Sequence, residues 1–466
     1  MRRVTLTVAA ALFMLLLDGS ILNTSLPAIA RALQVRPLML SAAVTVYLLT
    51  GAAVLPLASW LGERFGLRRL FVLAVALFTG ASFLCGLAQD APQLIVARAL
   101  QGLGGGLMMP VGRTLAMQNA RKEDLIGITA LLTWPALFAP VLGPPLGGFI
   151  TTYASWRWNF LLNVPLGLAA VVLILRWVPR DTKQELRPLD VPGALGAALG
   201  LTMLLGGLDW TAHVVGDTAA RVPAILTIVF GVCALAWTVR HLRRTPHPVV
   251  SLAPLAHRTF VVATAAGGTF ASMCVQSTPF LLPLMFQLAL GRDAVGAGAL
   301  LLPYFLGNLA MKTVTTRILL RFGFHRVLVV SGAANAAAIA AFGLVDTHTP
   351  WLLLVLLLGV AGCVRSMLMT AQNTLMFADV LPAERGAASS LATMSMQTAG
   401  ALGVAVGAIV LAIAQSVHGD VHLRLPDFQV AFLAMGVFCA LATVNFWRLP
   451  ADAGSEMTRA TAGRAG

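Results

Sequence analysis

Charge is what this chain lacks most. Asp, Glu, Lys and Arg make up 11% of its 466 residues, while 58% are hydrophobic. Soluble domains carry about 25% charged residues. Cysteine is scarce and dispersed: Cys85, Cys233, Cys274, Cys363 and Cys439 stand singly in apolar stretches. That spacing excludes a disulfide framework or a zinc site and leaves them as small packing residues. No HExxH pair and no nucleophile with an attendant base occurs, which argues against a polytopic membrane enzyme or sensor. Nucleotide loops are missing too. GLGGG at 102–106 follows no strand and reads as a packing seam, and GNLAMKT at 307–313 lacks the second glycine and lies in an apolar run. With no ATP site and no cofactor or metal motif, the energy source is expected to be an ion gradient.

What the chain has instead is long apolar runs. A helix that crosses a bilayer needs roughly 20 mostly apolar residues. Fourteen such runs can be placed, near 4–26, 40–61, 70–88, 93–118, 125–150, 158–176, 191–208, 222–240, 259–286, 294–316, 326–345, 350–376, 386–414 and 428–447. The first is too long for the apolar core of a signal peptide and carries Asp18 inside it, so it reads as a retained helix. The net charge of +14 suggests a polyanion partner until its distribution is mapped. With the N-terminus inside, 22 Lys and Arg fall on the cytoplasmic side, six on the opposite side, and four (Arg98, Arg113, Lys312, Arg365) within the runs. This asymmetry orients a membrane protein with both termini cytoplasmic and excludes nucleic acid as its meaning. The partners expected are membrane lipid, a small-molecule substrate and protons, and the chain is expected to act as a monomer in a bacterial inner membrane.

A basic turn occurs twice. RFGLRRL at 64–70 and RFGFHRV at 321–327 are 257 residues apart, and the same offset carries Gly143 onto Gly400. Two six-helix halves, with two helices inserted between them, satisfy both the count and the offset. Parallel halves around a midplane cavity describe one large transporter architecture. The expected organisation is a first bundle over 1–176, a linker with two extra helices over 177–258, a second bundle over 259–448, and a cytoplasmic tail over 449–466.

Five motifs in the first 170 residues carry a resemblance: LDGSILNTSLP (17–27), SWLGERFGLRR (59–69), RALQGLG (98–104), GPPLGG (143–148) and WRWNFLLNVP (156–165). In this order they resemble the major facilitator superfamily, specifically its fourteen-helix drug:proton antiporter branch, and most of all its MdtD-type subgroup of exporters. The resemblance implies an all-α polytopic fold and export of drugs or toxic metabolites in exchange for protons, hence a contribution to antibiotic resistance. Ser59, Glu63 and Leu67 depart from the family pattern, which has Gly, Asp and a basic residue there. Glu63 keeps the negative charge on a longer stem.

Asp18 is the one carboxylate near the centre of a run. A charge there costs at least about 2.5–3.5 kcal/mol on insertion scales, so it is expected to face a cavity or a partner. A carboxylate that alternately meets and loses a cation can release and bind a proton. Asp18 and Arg98 are therefore the proton-coupling candidates, a role the resemblance favours over a permanent structural pair. Glu63, Arg64, Gly66, Arg68 and Arg69 form the candidate cytoplasmic gate, with Gly66 making the turn and the arginines at the anionic leaflet. The second copy has Leu320 where the first has Glu63, so a working latch is expected only in the first half. Gly143, Pro144, Gly147 and Gly148 make a bent, close-packed helix, and the resemblance ties that motif to antiport.

Asn23, Gln101, Arg113, Gln276, Asn308, Arg365, Asn373 and Gln397 are the polar candidates for a substrate pocket, each equally able to join helices together. Lys312 lies near a run end and can snorkel to the interface. Four cations against one acid is an unusual balance for a pump of lipophilic cations. If Arg113 and Arg365 face the cavity, the substrate is expected to be anionic: a carboxylate metabolite or a chelate such as metal-citrate.

Overall fold

In hydrocarbon every backbone N–H and C=O needs an internal partner, so apolar runs of this length have to become helices. The computed structural model describes residues 2–118, 125–179, 188–215, 218–381, 384–419, 422–450 and 453. It contains fourteen helices long and apolar enough to cross a membrane, and no strand among the described residues. They are α1 (Arg3–Ala32), α2 (Pro37–Phe65), α3 (Leu67–Leu87), α4 (Ala91–Met117), α5 (Gly127–Tyr153), α6 (Trp158–Trp177), α7 (Val191–His213), α8 (Ala219–Leu242), α9 (Arg258–Ala289), α10 (Ala294–Phe322), α11 (Phe324–Phe342), α12 (Trp351–Leu375), α13 (Arg385–His418) and α14 (Leu425–Arg448). All fourteen runs are recovered. Several helices outrun their apolar stretch: α13 has 34 residues and α9 has 32, because a helix can continue past the hydrocarbon edge on polar residues. Arg121, Lys122, Arg180, Lys183, Arg187, Arg459 and Arg464, counted above for orientation, lie outside the described residues, as does nearly all of the expected tail.

The repeated turn is one backbone structure made twice. Gly66 (φ 86°) separates α2 from α3, and Gly323 (φ 75°) separates α10 from α11. Each amide N–H closes the preceding helix, Gly66 onto Gly62 O (3.0 Å) and Gly323 onto Leu319 O (2.9 Å). Each carbonyl opens the next, accepting from Leu70 N and Val327 N. Every partner in the second turn lies 257 residues after its counterpart in the first. Positive φ strains any residue with a Cβ, which accounts for glycine at both positions.

The chain forms two compact units. One holds Met1–Trp210, Ala219–Val249 and Arg292–Ala299; the other holds Thr211–Thr218, Val250–Gly291 and Leu300–Gly466. The inserted helices α7 and α8 thus belong almost wholly to the first unit. Glycines bring them together: Gly207 of α7 meets Ile228, and Gly231 of α8 meets the backbone of Leu204. Asp209 ties α7 to α2 by accepting from Ser41 Oγ (3.1 Å) and Thr45 Oγ1 (3.3 Å). Burial separates core helices from peripheral ones. Of the apolar window, 71% is buried in α9 and 17% in α8.

Within the first unit, Val8, Leu12, Phe71, Phe78 and Met108 form a continuous core. The glycine run of α4 makes that packing possible. Gly102 and Gly106 face the α2 backbone at Tyr47 and Gly51, Gly104 faces Ala74 and Phe78 of α3, and Gly105 faces Leu15 of α1. Phe260, Leu328, Leu368, Leu375 and Phe446 make the core of the second unit.

Candidate functional site

The densest buried polar network lies in the first unit, where α1, α3, α4 and α6 meet. Asp18 and Arg98 are 3% and 1% exposed, too little for water to share their charges. Arg98 Nη1 donates to Asp18 Oδ2 at 2.8 Å. The other carboxylate oxygen, Oδ1, accepts from Gln101 Nε2 (2.9 Å) and Asn163 Nδ2 (2.7 Å). Arg98 has further support: Nη1 also donates to Gln101 Oε1 (2.6 Å), Nε donates to Ala43 O (3.4 Å), and the guanidinium carbon lies 4.0 Å from the centre of the Tyr47 ring. Ser82 Oγ accepts from Gln101 Nε2 (2.7 Å) and Asn163 Nδ2 (3.3 Å), which fixes both amides.

All three groups around Asp18 are donors. They suit an ionised carboxylate, because a protonated acid would need an acceptor for its O–H. Removing the charge of one partner from a buried ion pair costs about 3–5 kcal/mol, because the other charge is left uncompensated. Protonating Asp18 would neutralise its half of the pair and leave the Arg98 cation buried with Gln101, Ala43 and the Tyr47 face.

The proline-rich helix α5 lies directly beside this cluster. A Cβ on Gly143 would run into Ser20 Oγ, and one on Gly147 would fall 2.7 Å from Ile21 O. Ser20 Oγ donates to Ala139 O across the same seam (3.1 Å). Gly148 instead meets the backbone of Ala294 and Val295, and Gly298 meets that of Pro144. The motif thus packs α5 against α1 immediately after Asp18 and against the first turns of α10.

WRWNFLLNVP turns out to be a string of ties. Arg157 donates to Gly86 O (3.2 Å) and Ala88 O (2.7 Å) at the end of α3. Asn159 Nδ2 donates to Ser25 Oγ (2.7 Å) and Thr151 Oγ1 (2.8 Å), joining α1, α5 and α6. Asn163 reaches Asp18. Sequence reasoning missed Asn163, Ser82 and Tyr47 as partners of the ion pair. A signal for Asn163 existed, since it is a polar residue at a fixed place in the quoted motif and inside an apolar run. None existed for Tyr47, which contributes the face of its ring.

Other candidates fall in varied surroundings. Gln101 belongs to the Asp18 network and is fully buried. Asn23 is half-buried on α1, with a buried Oδ1 that has no partner. Arg113, some four turns from Arg98 on α4, is exposed. In the second unit Arg365 Nη2 donates to Gln276 Oε1 (2.8 Å) and its guanidinium carbon sits 5.6 Å from the centre of the Tyr304 ring. Its buried Nε has no partner. Asn308 and Gln397 are half-buried, and Asn373 and Lys312 are exposed. Among the gate residues, Arg68 donates to Leu175 O of α6. Glu63 is half-buried, and among the described residues it makes none of the ion pairs expected with the neighbouring arginines.

Known proteins line up with these features. The sequence profile described as Major Facilitator Superfamily matches residues 8–375 and again 264–464. The MdtD protein of Klebsiella pneumoniae, named for multidrug resistance, is 33% identical over 98% of this chain and 97% of its own length. Its namesake in Serratia proteamaculans is 34% identical over 97% and 94%. Among solved structures, the POT family transporter PepTSo superposes with a TM-score of 0.71 at 13% identity, over 98% of both chains. The nucleoside transporter NupG does so with 0.66 at 15% identity, over 96% of this chain and 99% of its own.

Proposed function

Because the chain belongs to the major facilitator superfamily and is a multi-pass membrane transporter, we propose that it works as a secondary active exporter. It moves small molecules out of the cytoplasm in exchange for protons by alternating access. The observation that carries this reading is the seat of Asp18: a carboxylate inside a spanning helix, held by one cation and two amide donors with no acceptor for a proton. This is the deprotonated end of a cycle in which proton entry from outside loosens Arg98 and rocks the bundle. The distribution of Lys and Arg supports cytoplasmic termini, and bacterial relatives such as those of Klebsiella and Serratia support the inner membrane as the location.

The test is uptake of a panel of fluorescent drugs into inside-out vesicles under an imposed pH gradient, wild type beside Asp18→Asn. The variant should reach the membrane in equal amount and lose gradient-driven accumulation. Accumulation at the wild-type rate would overturn proton coupling through Asp18.

A second reading of the substrate rests on Arg365. Asp427, at the start of α14 and held by His418 Nδ1 (2.6 Å) and Arg424 N (2.8 Å), is the one acid in the spanning helices of the second unit. Within its own unit Arg365 thus has no carboxylate in a spanning helix apart from Asp427, and it has a buried N–H to spare. Buried charges need counter-ions, and an anionic substrate, a carboxylate metabolite or its metal chelate, supplies one. Citrate-like anions should be exported by the wild type and not by Arg365→Ala. Unchanged export by that variant would leave lipophilic drugs as the substrate class.

A further inference from the structure

We infer that the basic end of α8 holds one molecule of anionic phospholipid. On this helix Val232, Leu235, Ala236 and Val239 occupy positions i, i+3, i+4 and i+7, so they share one face. The stripe is the apolar limb of a shallow, open surface groove lined by α8 and the turn that follows it. Ala236, the smallest side chain of the stripe, leaves room in the middle of that limb. Arg240, Arg243 and Arg244 close its end, all exposed and with no acid among the lining residues. Apolar length capped by clustered guanidinium groups is the shape and charge of an acyl chain ending in a phosphate.

The arginine-bearing turn is fixed in place. Asp190 accepts from His241 Nε2 (2.7 Å), Gly193 N (3.0 Å) and Val249 N (3.3 Å), pinning the end of α8 and the segment after it to the start of α7. His241 stacks on Trp237 with ring centres 5.3 Å apart. Asp190 is thereby committed on the α7 side, and among the described residues none of the three arginines has an acidic partner. α8 is also the helix least covered by the protein, so a lipid reaches the groove directly from the bilayer. The site concerns the inserted hairpin and stands whether or not Asp18 couples protons. Placing the lipid in the cytoplasmic leaflet rests on the orientation proposed above.

The test is native mass spectrometry of the full-length protein in detergent, titrated with phosphatidylglycerol, phosphatidylethanolamine or free glycerol phosphate. Wild type should retain phosphatidylglycerol in preference to phosphatidylethanolamine. At about fivefold for each arginine, R240Q/R243Q/R244Q should weaken the first phosphatidylglycerol adduct roughly a hundredfold. Ala236→Phe fills the apolar limb and should lose the lipid with all three charges in place, so it decides the matter if the triple variant does not fold. R317Q/R321Q, on α10, should bind as wild type. Undiminished phosphatidylglycerol binding by the α8 variants would overturn the inference, and so would its displacement by glycerol phosphate at equal concentration, which would assign the arginines to a free anion. Failure of the Asp18 experiment would leave these results untouched.

Discussion

Replacing Asn163 with leucine removes one of three donors from Asp18 while keeping side-chain bulk. The bond lost is short, 2.7 Å from Nδ2 to Oδ1, and Asn163 is 2% exposed, so water cannot take its place. Hydrogen bonds to charged groups contribute about 1.5–3 kcal/mol and those between neutral groups about 0.5–1.5 kcal/mol. Gln101 still serves Oδ1, and the 3.3 Å bond to Ser82 is long enough to add little. Asn163→Leu should therefore cost about 1.5–3 kcal/mol when Asp18 is ionised and about 1 kcal/mol less in an Asp18→Asn background. Reversible unfolding of the purified protein in mixed detergent micelles, run as a double-mutant cycle, measures the difference. Independent sites add to within about 0.3–0.5 kcal/mol. An equal loss in both backgrounds would show that Asn163 does not act on the charge of Asp18.

Three further perturbations probe other parts of the account. Gly104→Leu puts a branched side chain where even a Cβ would lie 2.7 Å from Phe78 N, so it should cost at least about 1–3 kcal/mol and cut the yield of folded protein measured by fluorescence size-exclusion chromatography; a normal yield would refute the close α3–α4 seam. Burial pushes the Asp190 carboxyl up, but hydrogen bonds from His241, Gly193 N and Val249 N outweigh it and hold the group below its ordinary range of about 3.9. Its contribution is thus complete above that range and lost as pH falls through the lower folded value, so the thermal-stability gap between wild type and Asp190→Asn should be full at pH 7 and shrink below about pH 4; a gap that does not depend on pH would contradict the assignment. Glu63→Gln should impair transport in vesicles more than it lowers the amount of protein in the membrane, and equal losses would reduce the first basic turn to a topology anchor.

Much of the fold was legible because a bilayer enforces one rule. Apolar runs of about 20 residues have few alternatives to a spanning helix, and Gly66 and Gly323 marked the same turn in each half. The exact helix ends were not legible, since helices such as α13 continue on polar residues that hydropathy does not count. The compact units also diverge from the even division into bundles and linker. Gly207 and Gly231 lock α7 against α8, and Asp209 carries the pair onto α2, a contact between residues 164 and 168 positions apart that no local pattern encodes. At the site, Asp18 and Arg98 could be paired because a buried acid demands a cation. Asn163 and Ser82 depended on which face of α3 and α6 turns inward, and that is decided by tertiary packing. One Gln in an apolar run can serve either substrate or protein, so the sequence leaves both uses open for Gln101; in the fold it is buried beside Asp18.

The central claim, that one proton is exchanged through Asp18 for each opening of its pair with Arg98, is tested most directly by proton movement. Purified protein in liposomes without an imposed pH gradient, given a substrate gradient and an internal pH dye, should move protons against the direction of substrate flow. Asp18→Asn should carry substrate down its gradient with no dye response. Proton movement by the variant equal to that of the wild type would contradict the account.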